Sequence, residues 1–292
     1  MTWGRLCTPR RKSRETTVQV TIDGHAAYGA TGGRAHEAGR PLALLLHGAG
    51  LNHTVWALQS RWLAFHGWNV LALDLPGHGR SEGPPLQSIG ALAGWLTAVI
   101  VAARADRVAL IGHSMGSLIA LETAARHPDR VQSMVLIGAA PAMPVHQDLL
   151  AAAASNKHGA IDMVNLWGYG YFAGLGGSQA PGVWMAGAGE RILESAKPGV
   201  LYADLTACDS YRDGLTTAAR VAAPALLICG EKDQMTPLKS GRMLAAAIPG
   251  ATIVTLTKAG HMLMAERPYE IQAAIAKHLT VDRSRNQPVL SS

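Results

Sequence analysis

The chain has 292 residues, 48% of them hydrophobic, a formal net charge of +6 and three cysteines. That length is enough to bury a large core and to hold one catalytic domain with an insertion. Residues 1–15 contain five basic side chains and one acidic one, a net +4 that leaves +2 for the rest, with no basic stripe interleaved with aromatics, which argues against a nucleic-acid-binding body.

The basic tail over 1–15 reads as disordered and solvated, and it lacks the apolar segment of a secretory signal. Segments 17–22 and 26–30 read as a hairpin turning at Asp23-Gly24, an antiparallel edge to the sheet that follows. Leu42-Ala43-Leu44-Leu45-Leu46 is a buried-strand run entering His47-Gly48-Ala49-Gly50, a glycine loop able to expose a backbone N–H. A helix over 55–65, a strand over 69–74 and the loop Leu75-Pro76-Gly77-His78-Gly79-Arg80-Ser81 come next. After a helix over 89–103, the strand 107–111 runs into Gly112-His113-Ser114-Met115-Gly116 and a helix reaching Arg126. A strand that becomes a helix through so tight a turn raises the Ser114 side chain, and the flanking glycines keep the approach open.

Val135-Leu136-Ile137 is the next strand, and then the rhythm breaks. Residues 141–208 contain helical pieces and glycine-rich breaks but no strand comparable to the others. Strands resume at Pro224, ending in Gly230-Glu231-Lys232-Asp233, and again over 251–256, closing in Ala259-Gly260-His261. Helices over 238–248 and 268–279 accompany them, and 282–292 reads as a frayed polar end. The alternation predicts a doubly wound, mostly parallel α/β sheet with right-handed crossovers.

A nucleophilic serine needs a base, an acid to orient the base, and donors for an oxyanion. His261 follows the last strand, and Asp233 ends the strand beside it, at the edge where open α/β sheets build their sites. Glu231 and Asp209 compete with Asp233 as the acid. The N–H groups of Ala49 and Met115 are the candidate oxyanion donors. Asp74 is expected to hold its loop through side-chain-to-backbone hydrogen bonds, and His113 to point away from Ser114. No His, Cys, Asp or Glu grouping has metal-ligand spacing, so no metal is expected.

In chain order, the His47, Asp74–Ser81, Gly112–Gly116, Gly230–Asp233 and Gly260-His261 motifs resemble the α/β-hydrolase family across about residues 18–280, specifically its serine hydrolase branch with an inserted cap. The resemblance implies a core over 16–140 and 209–281 with a helical cap over 141–208. It also implies a triad of Ser114, Asp233 and His261, an oxyanion hole at Ala49 and Met115, loop-shaping parts for His47 and His78, no cofactor, and hydrolysis of carboxylic esters through an acyl-enzyme. Some members carry the acid one strand earlier, where this chain reads Gly138-Ala139-Ala140-Pro141 without a carboxylate. Members that dehalogenate or open epoxides attack with aspartate, which Ser114 excludes. Carbon–carbon bond hydrolases, thioesterases, cofactor-free haloperoxidase-like enzymes and a non-catalytic receptor on the same fold remain as alternatives.

Segment 141–208 carries six of the fifteen aromatics. Trp167, Tyr171 and Trp184, with Met262 beyond the insert, are expected to face a small to medium apolar substrate. Glycines 168, 170, 174, 176 and 177 are expected to make the insert a mobile lid. No uninterrupted apolar run reaches membrane-spanning length, and Cys7, Cys208 and Cys229 suggest no disulfide framework. A reducing cytoplasm, a small-molecule substrate and neither nucleic acid nor stable membrane insertion are therefore expected.

Overall fold

The computed structural model describes residues 17–285. The expected basic tail, Cys7 and the last seven residues lie outside the described residues. The chain opens with β1 (Thr17–Ile22) and β2 (His25–Ala30), paired antiparallel. Their turn places Asp23 at φ 47° and Gly24 at φ 81°, the positive pair that lets a two-residue hairpin follow the strand twist. β3 (Leu42–Leu46), α1 (Ala57–Phe65), β4 (Asn69–Leu73), α2 (Ile89–Ala102), β5 (Val108–His113), α3 (Met115–Arg126) and β6 (Val131–Ile137) then alternate.

Between β6 and the next strand lie only helices: α4 (Gln147–Ala154), α5 (His158–Gly168), α6 (Tyr171–Gly174), α7 (Met185–Glu194), α8 (Val200–Ser210) and α9 (Gly214–Ala218). The chain returns through β7 (Ala225–Gly230), α10 (Leu238–Ala247), β8 (Thr252–Leu256), α11 (Leu263–Glu266) and α12 (Pro268–Arg285). α12 thus passes both the expected helix end at Leu279 and the start of the expected frayed end. No helix among the described residues is long and apolar enough to cross a membrane.

The eight strands form one sheet in the order β1-β2-β4-β3-β5-β6-β7-β8, parallel throughout except for the β1–β2 and β2–β4 pairs. Side-chain alternation explains why the sheet needs two covering layers. Leu42, Leu44 and Leu46 of β3 pack in a core with α2 and α3, while Ala43 and Leu45 join the core under α1 and α12. Both faces are apolar, so these strands read as continuous hydrophobic runs. β5 lies between β3 and β6, and its C-terminal end therefore opens near the centre of the sheet edge. Cys208 and Cys229 are free and buried.

Candidate active site

β5 passes into α3 through a single residue, Ser114, at φ 53° and ψ −119°. A serine pays for positive φ in steric strain, so the surroundings must hold it there. The Ser114 N–H donates to the Ile137 carbonyl at 2.9 Å, and the Ser114 carbonyl accepts from the Ser117 N–H at 2.8 Å. Its side chain makes no helix-capping hydrogen bond, leaving Oγ free for chemistry. The glycines on either side are required by close backbone approach. A Cβ on Gly112 would lie 2.3 Å from the Gly116 carbonyl oxygen, and one on Gly116 2.2 Å from that of Leu46. Gly116→Ala is therefore expected to destabilise the fold by about 3 kcal/mol through overpacking, read as a lowered Tm in thermal unfolding.

His261 lies on the loop after β8, and its Nδ1 is 2.8 Å from Asp233 Oδ2 at the end of β7. Asp233 Oδ1 accepts the backbone N–H groups of Met235 at 2.9 Å and Thr236 at 2.8 Å. The Thr236 hydroxyl donates to Oδ2 at 2.7 Å and lies 3.2 Å from the imidazole Nδ1. Burial alone would raise the Asp233 pKa, but His261 and the Thr236 donors outweigh it and hold the carboxyl below its usual range. The anion accepts the Nδ1 proton, which leaves Nε2 as the basic nitrogen; Nε2 is buried and makes no hydrogen bond to protein.

Gly138 follows β6 at φ 57°, and a Cβ there would lie 3.1 Å from His261 Cε1 and Nδ1. The missing carboxylate at this position is thus also a missing side chain that would crowd the imidazole. The competing acids are engaged elsewhere: Glu231 accepts the Lys258 N–H at 3.0 Å, and Asp209 accepts that of Val145 at 2.9 Å. His113 turns away from Ser114, its Nε2 3.0 Å from the His261 carbonyl oxygen. Burial, reinforced by His261, lowers its pKa to about 3, so His113 is a neutral donor that steadies the His261 backbone.

The loop after β3 is held from several sides. The Leu75 N–H donates to His47 Nε2 at 3.1 Å, so the proton resides on Nδ1, 2.9 Å from the Gly48 carbonyl oxygen. Burial and the neighbouring His78 lower the His47 pKa to about 4, which keeps this tautomer neutral. Gly48 C=O and Ala49 N–H share one peptide plane, so His47 fixes the direction of the Ala49 donor. Asp74 takes the expected loop-holding part. It accepts the N–H groups of His53 at 2.7 Å and Arg80 at 2.8 Å.

Two cavities meet at Ser114 and Ala49. The larger, ≈ 290 Å³, is lined by Met143, Val145, Leu149, Trp167 and Leu205 among others. The smaller, ≈ 30 Å³, also contains His261, with Tyr169, Leu193 and Met262. Trp167 and Met262 thus border the space beside Ser114. Tyr171 and Trp184 do not, contrary to expectation: they line neither cavity and are 77% and 68% exposed. Tyr171 starts a four-residue helix just after Gly170 is fastened inward by Glu266, so its ring points outward and meets Phe172 edge-on at 5.6 Å. Trp184 precedes α7 and lays its ring over Gly187.

The chain at Gly168 and Gly170 is tied to the segment that carries His261. The Gly168 carbonyl accepts the N–H groups of His261 and Met262, each at 2.9 Å. A Cβ on Gly170 would lie 2.8 Å from Glu266 Oε2 and 3.0 Å from the Gly260 nitrogen.

A model of the alpha/beta hydrolase family matches residues 43–275. The chain belongs to that family. It is 30% identical over 247 residues to a pimeloyl-[acyl-carrier protein] methyl ester esterase of Chromobacterium violaceum, covering 82% of this chain and 94% of the relative. A protein of the same description from Aromatoleum aromaticum is 32% identical over 253 residues, covering 81% of this chain and 97% of the relative. Among solved structures, the enol-lactonase of Burkholderia xenovorans superposes with a TM-score of 0.82 at 25% identity, over 90% of this chain and all of that one, its coverage being 100%.

Three buried polar residues of this hydrolase escape the sequence motifs. Thr236 braces the Asp233–His261 pair, and its place three residues after Asp233 is the signal that an Asp-capped turn provides. Glu266 accepts the N–H groups of Gly260 at 3.0 Å and Gly170 at 3.2 Å, tying the His261 loop to the helical insertion. Burial raises its pKa against these hydrogen bonds. Asp204, fully buried on α8, accepts the Gly50 N–H at 2.7 Å and lies 2.8 Å from His78 Nε2. Away from the site, His158 joins Glu190 and Glu194, four residues apart on α7, with ligand atoms within 4.8 Å of one another, a grouping contrary to the expectation that none exists. His158 is exposed and already paired with Glu194 and Asp162.

Proposed function

We propose that this protein hydrolyses carboxylic esters through an acyl-enzyme on Ser114. One observation carries the proposal: a serine held at positive φ shares a cavity with a buried imidazole whose Nδ1 is anchored to a carboxylate and whose Nε2 is unpartnered. His261 Nε2 takes the hydroxyl proton as Ser114 Oγ attacks the carbonyl carbon. Asp233 holds the ring in the required tautomer and stabilises its cation. The N–H groups of Ala49 and Met115 receive the developing oxyanion, each donor contributing about 3 kcal/mol. His261 then returns the proton to the leaving alcohol, and water, deprotonated by the same nitrogen, releases the acid.

The unequal cavities support a division of the substrate. The leaving oxygen must reach His261 Nε2, so the alcohol group belongs in the ≈ 30 Å³ space that His261 lines. It is about a tenth the size of the other, so it suits a small alcohol group. The acyl chain belongs in the ≈ 290 Å³ space, whose Met143, Val145, Leu149, Trp167 and Leu205 suit an uncharged apolar chain. Methyl esters of medium-length acids fit both limits, in keeping with the methyl ester esterases among the relatives. The insert acts as the cap that walls the acyl side.

Esters of one medium-chain acid with alcohols of growing size test this division. The value of kcat/KM is expected to fall by about tenfold or more from methyl to butyl, since each misfitting methylene carries a penalty. A flat or rising series would contradict the division. Thioester and β-diketone counterparts in the same panel separate ester hydrolysis from thioesterase and carbon–carbon bond chemistry.

A further inference from the structure

Asp204 lies in the middle of α8, between Ala203 and Leu205, and no motif singles it out. A buried carboxylate is unfavourable unless donors meet it, and an apolar residue there would pack without that penalty. The donors that meet this one are unusual in their location. Oδ2 accepts the Gly50 N–H at 2.7 Å and lies 2.8 Å from His78 Nε2, while Oδ1 makes no hydrogen bond to protein.

Gly50 follows Ala49 at φ 68°, and a Cβ there would lie 2.9 Å from Leu201 Cδ1 and 3.0 Å from Leu193 Cδ2. The two peptides flanking Ala49 are therefore each pinned by a buried side chain. His47 holds the Gly48 carbonyl before it, and Asp204 holds the Gly50 N–H after it. The first anchor comes from the sheet edge, the second from the insertion.

We propose that Asp204 is a positioning residue for oxyanion stabilisation: from the insertion it fixes the peptide after Ala49 and so keeps the Ala49 N–H against the Ser114 cavity. This rests on the ester-hydrolase assignment above. His78 supports the arrangement. Its Nδ1 lies 3.0 Å from the Pro76 carbonyl oxygen and its Nε2 2.8 Å from Asp204, so both ring nitrogens face acceptors, and the Asp204 carboxylate raises its pKa against burial. That ring lies 4.8 Å from His47, so both anchors meet in one buried cluster. Asp74 adds a more distant negative charge to it.

The role predicts a loss confined to the transition state. Asp204→Ala is expected to lower kcat by about 100-fold, the scale of a displaced catalytic group, with KM within about twofold of the parent. Affinity for an alkylboronic acid, whose tetrahedral adduct on Ser114 loads the oxyanion hole, should fall by the same factor as kcat/KM. Asp204→Asn keeps an oxygen for the Gly50 N–H but loses the charge, and is expected to lose only about tenfold in both measures. It decides the question alone if the alanine variant does not fold.

Glu122→Gln serves as the control. Glu122 is a buried carboxylate engaged with Arg126, Tyr211 and Thr217, and its loss should lower Tm without changing kcat. Folded Asp204 variants with parental kcat and boronic acid affinity, or a loss confined to Tm or KM, would overturn the positioning role. Failure of the parent protein to bind the boronic acid or to take a fluorophosphonate on Ser114 would instead overturn the hydrolase assignment, and the positioning role with it.

Discussion

Asp233→Asn is expected to lower kcat on a methyl ester by about 10⁴-fold while leaving the fold intact. The reason lies in how the carboxylate is held. Oδ1 accepts two backbone N–H groups, from Met235 and Thr236, so the carbonyl oxygen of an asparagine stays on that side. Its amide NH₂ must then occupy the place of Oδ2, 2.8 Å from His261 Nδ1, and present a donor to a donor. The imidazole responds by moving its proton to Nε2, where it can no longer take one from Ser114. Steady-state kinetics with circular dichroism as the folding check measures the effect. Near-parental turnover in Asp233→Asn, with the loss appearing in Asp209→Asn, would reassign the acid.

Ser114→Ala and His261→Ala are each expected to reduce kcat by about 10⁶-fold, and the double variant by no more than either alone. A nucleophile and its base act as one device, so removing the second after the first removes nothing further. What survives is binding and oxyanion stabilisation. Additive losses in the double variant would mean that the two residues serve separate steps.

Much of this architecture is legible in the sequence because local and tertiary preferences agree. Leu42–Leu46 is apolar at every position, which only a strand covered on both faces needs, and its observed bounds match the expected ones. The hairpin turn at Asp23-Gly24 and the Ser114 elbow are equally local, each set by residues that accept positive φ or close approach. β6 is less legible. It begins at Val131 rather than Val135, since Gln132 and Ser133 interrupt the apolar run although Ser133 is fully buried.

The insertion is where sequence and structure part. Trp167 and Tyr171 are four residues apart and chemically alike, yet one lines the Ser114 cavity and the other is exposed. That difference arises because α5 ends at Gly168, whose carbonyl is taken by the His261 loop, and the chain changes direction there. Such tertiary hydrogen bonds leave no periodic trace. Asp204 is a partial exception, since an acid between apolar neighbours in a helix marks either an exposed face or a buried partner, and only the fold distinguishes them.

Active-site labelling reads directly whether Ser114 is the nucleophile. The folded protein is treated with a fluorophosphonate, digested and analysed by mass spectrometry, alongside Ser114→Ala. One covalent adduct on Ser114 is expected, accompanied by loss of ester hydrolysis, with no adduct in the variant. Labelling that persists in Ser114→Ala, or a folded protein that hydrolyses methyl esters while Ser114 stays unmodified, would contradict it.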